Sequence, residues 1–180
     1  MEEIIKLHDR HFKVMIPAAK IDEAVSAVAD RINIDYADKE LPIFLGVLNG
    51  SFMFMSDLIK KIDFNCELSF VKLSSYSGTC STGHVRNLIG LNGSIEGRHV
   101  IIVEDIVDTG ESIDHMMREL EGHKPASVDV CTLFFKPTSY GKTLPIRYRA
   151  MEIGNEFIVG YGLDYGQLGR NLKDVYVVTD

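Results

Sequence analysis

Apolar positions recur along the chain with two alternating periods. Residues 21–32 place Ile21, Ala24, Val25, Val28 and Ile32 on one helical face. Residues 42–48 read as a buried strand, and Phe52, Met55, Ile59 and Ile62 then return at helical spacing. Residues 66–76 alternate loosely, as a strand does. Ser77 to Gly83 is small and polar and predicts a mobile loop, and residues 85–92 suit a returning strand. A short Val/Ile strand runs from His99 to Ile106. Ile113, Met116, Met117 and Leu120 follow as one helical face. Residues 127–136, 157–163 and 175–179 are three more apolar strands. Strands alternating with helices predict an α/β fold with a mainly parallel sheet covered on both faces. Ligands of such sheets bind at the carboxyl ends of the strands. The loops after residues 48, 106 and 136 are therefore the places to look for chemistry.

Leu41 to Met55 carries no formal charge. A membrane helix needs about 20 such residues. Pro42, Gly46 and Asn49-Gly50 interrupt this run, and Asp57, Lys60 and Lys61 close it. It reads as strand, tight loop and helix, not as a membrane span. At 180 residues, without repeat or linker, one domain over residues 1–180 is expected. Lys plus Arg is 19 against 26 for Asp plus Glu, a formal charge of −7. That balance argues against general nucleic-acid binding, which needs a basic face. An anionic ligand must instead be held locally. Cys66, Cys80 and Cys131 lie far apart, with no metal or disulfide spacing. The first residues lack the apolar region of a signal peptide. A cytoplasmic location is expected from these two features.

The most informative segment is Val100 to Ser112, VIIVEDIVDTGES. A hydrophobic strand ends in adjacent acids, Glu104 and Asp105. Asp108, Thr109, Gly110, Glu111 and Ser112 then lead into a helix. Small and hydroxylated residues at such a turn leave backbone N–H groups converging on one spot, a phosphate nest backed by a helix N-terminus. Carboxylates beside that nest repel phosphate unless something offsets them. Sugar hydroxyls, which donate to carboxylates, and Mg²⁺, which prefers oxygen ligands, would do so. The residues thus suggest a phosphorylated sugar with free hydroxyls, plus Mg²⁺. Helix capping by Thr109 and Ser112 is the plainer alternative. An aspartic protease is a further rival, since Ile106 to Gly110 contains a D-T-G run. That chemistry needs two aspartates sharing a proton, and this chain has one such run, before a helix.

VEDIVDTGES at 103–112 resembles the PRPP-binding motif of the type I phosphoribosyltransferases. The likeness extends over nearly the whole chain. It includes VLNGSFMF at 47–54 in part, SSYSGTCSTG at 74–83, LFFKP at 133–137 and FIVGYGLDYGQLGRNL at 157–172. Jointly these resemble the hypoxanthine (hypoxanthine-guanine) phosphoribosyltransferases. The resemblance implies that fold, with a small hood built from both chain ends. It implies Mg²⁺-dependent transfer of ribose 5-phosphate from PRPP to a 6-oxopurine base, giving IMP or GMP and pyrophosphate.

The roles implied by resemblance are as follows. Glu104 and Asp105 hold the ribose hydroxyls and associated Mg²⁺. Asp108 to Ser112 hold the 5′-phosphate, and Asp108 exchanges a proton at N7 of the purine. Asn49 and Gly50 belong to a pyrophosphate loop, where many members carry Lys in place of Asn49. That loop often contains a non-proline cis peptide. Ser75 and Tyr76 belong to a lid that excludes water. Lys136 donates to O6 of the base, Phe157 stacks on it, and the main chain of Ile158 meets its edge. Asp164 ligates a second Mg²⁺, and Arg170 contacts pyrophosphate. A homodimer or homotetramer is implied as well. A PRPP-sensing regulator on the same fold, and a xanthine- or pyrimidine-specific transferase, are the competing readings. His8 and His11, spaced H-x-x-H without a third ligand nearby, read as surface residues.

Overall fold

The computed structural model describes residues 4–74, 86–89, 91 and 93–179. In chain order the elements are β1 (Ile4–Leu7), β2 (Arg10–Ile16), α1 (Ala18–Tyr36), β3 (Ile43–Leu48), α2 (Phe52–Ile59), β4 (Glu67–Ser74) and β5 (Arg86–Ile89). There follow β6 (His99–Val107), α3 (Glu111–Glu121), β7 (Ser127–Phe135), β8 (Tyr148–Glu152), β9 (Ile158–Val159) and β10 (Val175–Val178).

The larger sheet has the order β5-β4-β3-β6-β7-β8. Its strands pair in parallel except β5, which runs antiparallel to β4. Alternate residues of each parallel strand feed opposite cores, because strand side chains have a period of two. Phe44, Ile101 and Val103 pack with Val25, Ile32, Phe54 and Leu58 of α1 and α2. Leu45, Val100 and Ile102 pack with Ile113, Met116 and Leu120 of α3. The expected α/β sheet with both faces covered is therefore present. From β3 the chain moves outward to β4, and it later re-enters on β3's other side as β6. That reversal opens a crevice at the carboxyl ends of β3 and β6. A second, antiparallel sheet of order β1-β2-β10-β9 is made from both chain ends and forms the expected hood.

Four local readings change. The first helix is longer than residues 21–32. Pro17 opens it, and the Ala18 N–H donates to Asp174 Oδ1 at 2.7 Å, a cap supplied from the other chain end. The α2 helix buries Phe54, Met55 and Leu58, while Phe52 is exposed. Nearly every side of α2 is apolar, so spacing alone did not select its buried face. The strand expected over 157–163 shrinks to Ile158–Val159. Gly160, Tyr161 and Gly162 all have positive φ, which turns the chain out of extended geometry. The β1, β2 and β8 strands are additional elements, and their weak apolar alternation gives little strand signal. β8 is held by parallel pairing to β7, and β1 and β2 pair with each other and with β10.

Candidate active site

Three strand ends and one hood loop converge on the crevice. At the end of β3 the Leu48–Asn49 peptide is cis. Asn49 is exposed, and Ser51 beneath it is buried, its hydroxyl donating to the Val47 carbonyl at 2.6 Å. Gly50 lies directly on the Asp105 carboxylate; a β-carbon at position 50 would overlap it. Only glycine lets the two strand ends approach this closely.

Near the end of β6, Glu104 lines the cavity of the following turn and Asp105 lies against Gly50. Asp105 Oδ1 accepts from the Ile106 N–H at 2.9 Å. Glu104 Oε2 is cut off from solvent and has no hydrogen-bond partner among the described residues. Burial, and then the neighbouring Asp105, pushes the Glu104 carboxyl well above the usual carboxylate range; burial also raises Asp105, against the nearby Arg170 charge. A cation or a hydroxyl donor would relieve this arrangement. No group of three or more potential metal-ligating side chains occurs among the described residues. The unpartnered Glu104 carboxylate beside Asp105 fits a Mg²⁺ held by one or two carboxylates together with substrate oxygens, the usual habit of that ion.

Beyond β6 the chain turns through Asp108, Thr109 and Gly110 into α3. Gly110 is the N-cap residue at φ 86°, with no side-chain cap. The N-cap position thus falls on Gly110, between Thr109 and Ser112, and not on either hydroxyl residue. Residues 104 and 106–113 line a cavity of about 100 Å³ here. Its size and the first-turn N–H groups suit one phosphate group.

At the end of β7, Lys136 is buried at 8% exposure, and its Nζ lies 3.3 Å from Asp108 Oδ2. The Lys136 N–H also donates to the Val107 carbonyl at 3.0 Å, which ties the two strand ends together. A donor and a carboxylate thus sit side by side, 28 residues apart in sequence.

The hood loop closes the other side. Gly162 rests on the Gly50 carbonyl so tightly that a β-carbon would overlap it. Arg170 Nη1 donates to the Gly162 carbonyl at 2.7 Å, and Nη2 pairs with Asp164 Oδ1 at 2.6 Å. Asp164 and Arg170 are thereby held together beside the β3 turn. Phe157 is 45% exposed, with its ring 5.8 Å from that of Tyr165 and 6.4 Å from that of Phe12. Ile158 is buried in β9, the edge strand of the hood, so one main-chain side of β9 has no strand partner among the described residues. His8 is exposed and bonds Gly166 O at 3.0 Å, in keeping with a surface role. Ser75, Tyr76 and Cys80 lie outside the described residues.

Sequence reasoning missed the residues that lock these loops. The Tyr161 hydroxyl donates to Asp57 Oδ2 at 2.5 Å, fastening the hood loop to α2. The Tyr165 hydroxyl donates to Asp9 Oδ1 at 2.7 Å, fastening it to the β1–β2 turn. Tyr140 and Lys142 pack beneath Gly110. No local pattern marks such partners, which are up to 156 residues apart.

The phosphoribosyl transferase domain family matches residues 17–166. The hypoxanthine phosphoribosyltransferase of Haemophilus influenzae is 38% identical over 165 residues, covering 90% of this chain and 92% of that protein. The hypoxanthine-guanine phosphoribosyltransferase of Streptococcus pneumoniae is 38% identical over 169 residues, covering 93% of each. A hypoxanthine-guanine phosphoribosyltransferase crystal structure from Bacillus anthracis superposes with TM-score 0.86 at 34% identity, over 98% of this chain and 100% of that one. Sequence and fold agree along almost the full length, so this chain belongs to the phosphoribosyl transferase domain family, among the hypoxanthine phosphoribosyltransferases.

Proposed function

We propose that this chain is a purine-salvage enzyme. It transfers ribose 5-phosphate from PRPP to hypoxanthine, and also to guanine, releasing pyrophosphate. The single observation that carries this reading is the 3.3 Å approach of the Lys136 ammonium to the Asp108 carboxylate, beside a phosphate-sized cavity. O6 and N7 are neighbours on one purine edge. A donor for O6 and a proton-exchanging carboxylate for N7 must therefore also be neighbours, as these two are. Phe157 offers an exposed ring to stack on the base, and the free edge of β9 at Ile158 offers main-chain groups to its rim.

In this reading the amides of Asp108 to Ser112 hold the 5′-phosphate, with the N-terminus of α3 behind them. Glu104 and Asp105 accept from the ribose hydroxyls. Asn49 and Gly50 present backbone to pyrophosphate, and Arg170 supplies a cation on the same side. Asp108 takes the N7 proton as the glycosidic bond forms, and Lys136 orients the base through O6. Catalysis rests on positioning and on fixed charges aimed at a transition state with a cationic sugar and an anionic leaving group. Glu104, Asp105 and Asp164 would hold Mg²⁺, which when bound neutralises charge on the leaving pyrophosphate. Ser75 and Tyr76 complete the proposal as the water-excluding lid.

Turnover should therefore be lost almost completely in excess chelator and should return on adding Mg²⁺. Full turnover in the chelator would remove the metal from the account. Asn49→Lys adds a charge at the pyrophosphate loop. It should tighten pyrophosphate as a product inhibitor at low ionic strength, and the gain should fade as salt screens it. An unchanged inhibition constant at low salt would show that the side chain at position 49 does not reach pyrophosphate.

The reading is tested by an absorbance panel with PRPP, Mg²⁺ and hypoxanthine, guanine, xanthine, adenine, uracil or orotate in turn. Turnover of hypoxanthine and guanine supports it. PRPP binding without turnover of any base would instead support a PRPP-sensing regulator, and preference for xanthine, uracil or orotate would support another transferase of the fold.

A further inference from the structure

Acids at the start of a helix are favourable for the helix and unfavourable for a bound phosphate. Both are drawn to the same positive helix end. The first turn of α3 carries two such acids, Glu111 and Asp114. Asp114 Oδ2 lies 2.8 Å from Arg118 Nη2, one turn further along the same helix. Glu111 Oε1 meets Lys142 Nζ at 2.7 Å, and Lys142 is its one ionic partner among the described residues. The same ammonium reaches Asp114 Oδ2 at 3.7 Å.

Lys142 arrives there by a specific route. It lies seven residues beyond the end of β7, on the loop that starts at Lys136. The Gly141 N–H donates to the Thr109 carbonyl at 3.3 Å, joining that loop to the phosphate turn. Gly110 has no β-carbon, so the Tyr140 ring and the Lys142 stem pack against its α-carbon; a β-carbon would lie 2.9 Å from Lys142 Cγ. The Lys142 side chain is 24% exposed, against 73% for Glu111. Its hydrogen bond to Glu111 and the adjacent negative charges hold the ammonium above the usual lysine range.

We infer that Lys142 is an electrostatic positioning residue for the 5′-phosphate: it neutralises Glu111 and Asp114 so that the N-terminus of α3 and the Asp108–Ser112 turn accept an anion. The inference rests on the phosphoribosyl-transfer reading. It adds a residue outside the phosphate turn that touches neither phosphate nor base and sets the affinity of the turn.

The test is calorimetric binding of PRPP with Mg²⁺, run beside steady-state kinetics with hypoxanthine, for wild type, Lys142→Met, Lys142→Arg, Glu111→Gln and the Lys142→Met/Glu111→Gln double variant. Lys142→Met should weaken PRPP about three- to ten-fold at low ionic strength, the scale of one charge near a helix end, and less at high salt. Its KM for hypoxanthine should stay within about two-fold of wild type. Lys142→Arg should retain wild-type affinity. The double variant should recover most of the loss, because the unpaired carboxylate is gone. Glu111→Gln is the reference for that double variant: adding Lys142→Met to Glu111→Gln should weaken PRPP less than about two-fold, a comparison that holds even if Lys142→Met alone fails to fold. Wild-type-like PRPP affinity in Lys142→Met at low salt would overturn the inference. So would a double variant as weak as Lys142→Met, or a loss on adding Lys142→Met to Glu111→Gln as large as that on adding it to wild type. A wild type that binds PRPP but leaves hypoxanthine unchanged would defeat the functional reading alone, since calorimetry still reads the Lys142 effect.

Discussion

Asp108→Asn should lower kcat for hypoxanthine by ~10²–10⁴-fold, the usual cost of removing a positioned proton acceptor. PRPP affinity should change far less, because the proposed phosphate site is built from backbone amides that the substitution leaves in place. Asparagine keeps the size of the side chain and can still accept from Lys136 through its amide oxygen. It cannot take a proton from N7. The substitution also removes the charge facing the Lys136 ammonium, whose side chain is only 10% exposed. Hypoxanthine affinity must therefore be measured apart from kcat. Turnover within a few-fold of wild type would show that Asp108 does not handle the proton.

The second large effect concerns the choice of base, and it follows from the chemistry of one ammonium group. Lys136 has three donors and no acceptor. It can donate to the 6-oxo group of hypoxanthine or guanine. It cannot accept from adenine's 6-amino group, which would leave a buried charged donor facing another donor. Sites built on such a bond discriminate by ~10⁴–10⁵-fold. The Asp108 side chain is 48% exposed, so water reaches one side of this pair and the ratio should fall at or below the lower end of that range. Lys136→Ala and Lys136→Gln should both damage hypoxanthine use more than PRPP binding. Gln, which also accepts, should narrow the gap between hypoxanthine and adenine. The check is kcat/KM for both bases in wild type and both variants. Efficient wild-type use of adenine, or an unchanged ratio in the variants, would take Lys136 out of base recognition.

The chemistry-bearing segments were legible because each is local and sits where an open α/β sheet exposes its strand ends. Val100 to Ser112 announces a strand, an acid pair, a glycine turn and a helix within 13 residues, and the fold keeps them in that order. The three loops singled out from apolar periodicity all reach one crevice. What periodicity could not show was how the loops are fastened. Tyr161 and Asp57 are 104 residues apart, and Asp174 caps a helix that starts 156 residues before it. Such contacts depend on tertiary assembly and leave no spacing to read. The buried face of α2 is hard to read for a different reason: six of its eight residues are apolar, so apolar positions fall on more than one side and packing decides which of them is buried. The curtailed strand at 157–163 has a third cause. Gly160 and Gly162 flank Tyr161, and together they turn the hood loop back onto Gly50, a close approach invisible until both glycines are placed.

Quantifying products in a single reaction tests the account most directly. Purified protein is mixed with PRPP, Mg²⁺ and hypoxanthine, and both IMP and pyrophosphate are measured over time, with adenine in a parallel reaction. The account predicts one pyrophosphate per IMP, negligible AMP, and a rate that collapses in Asp108→Asn. Binding of PRPP with no nucleotide formed from hypoxanthine, or AMP formed as readily as IMP, would contradict it.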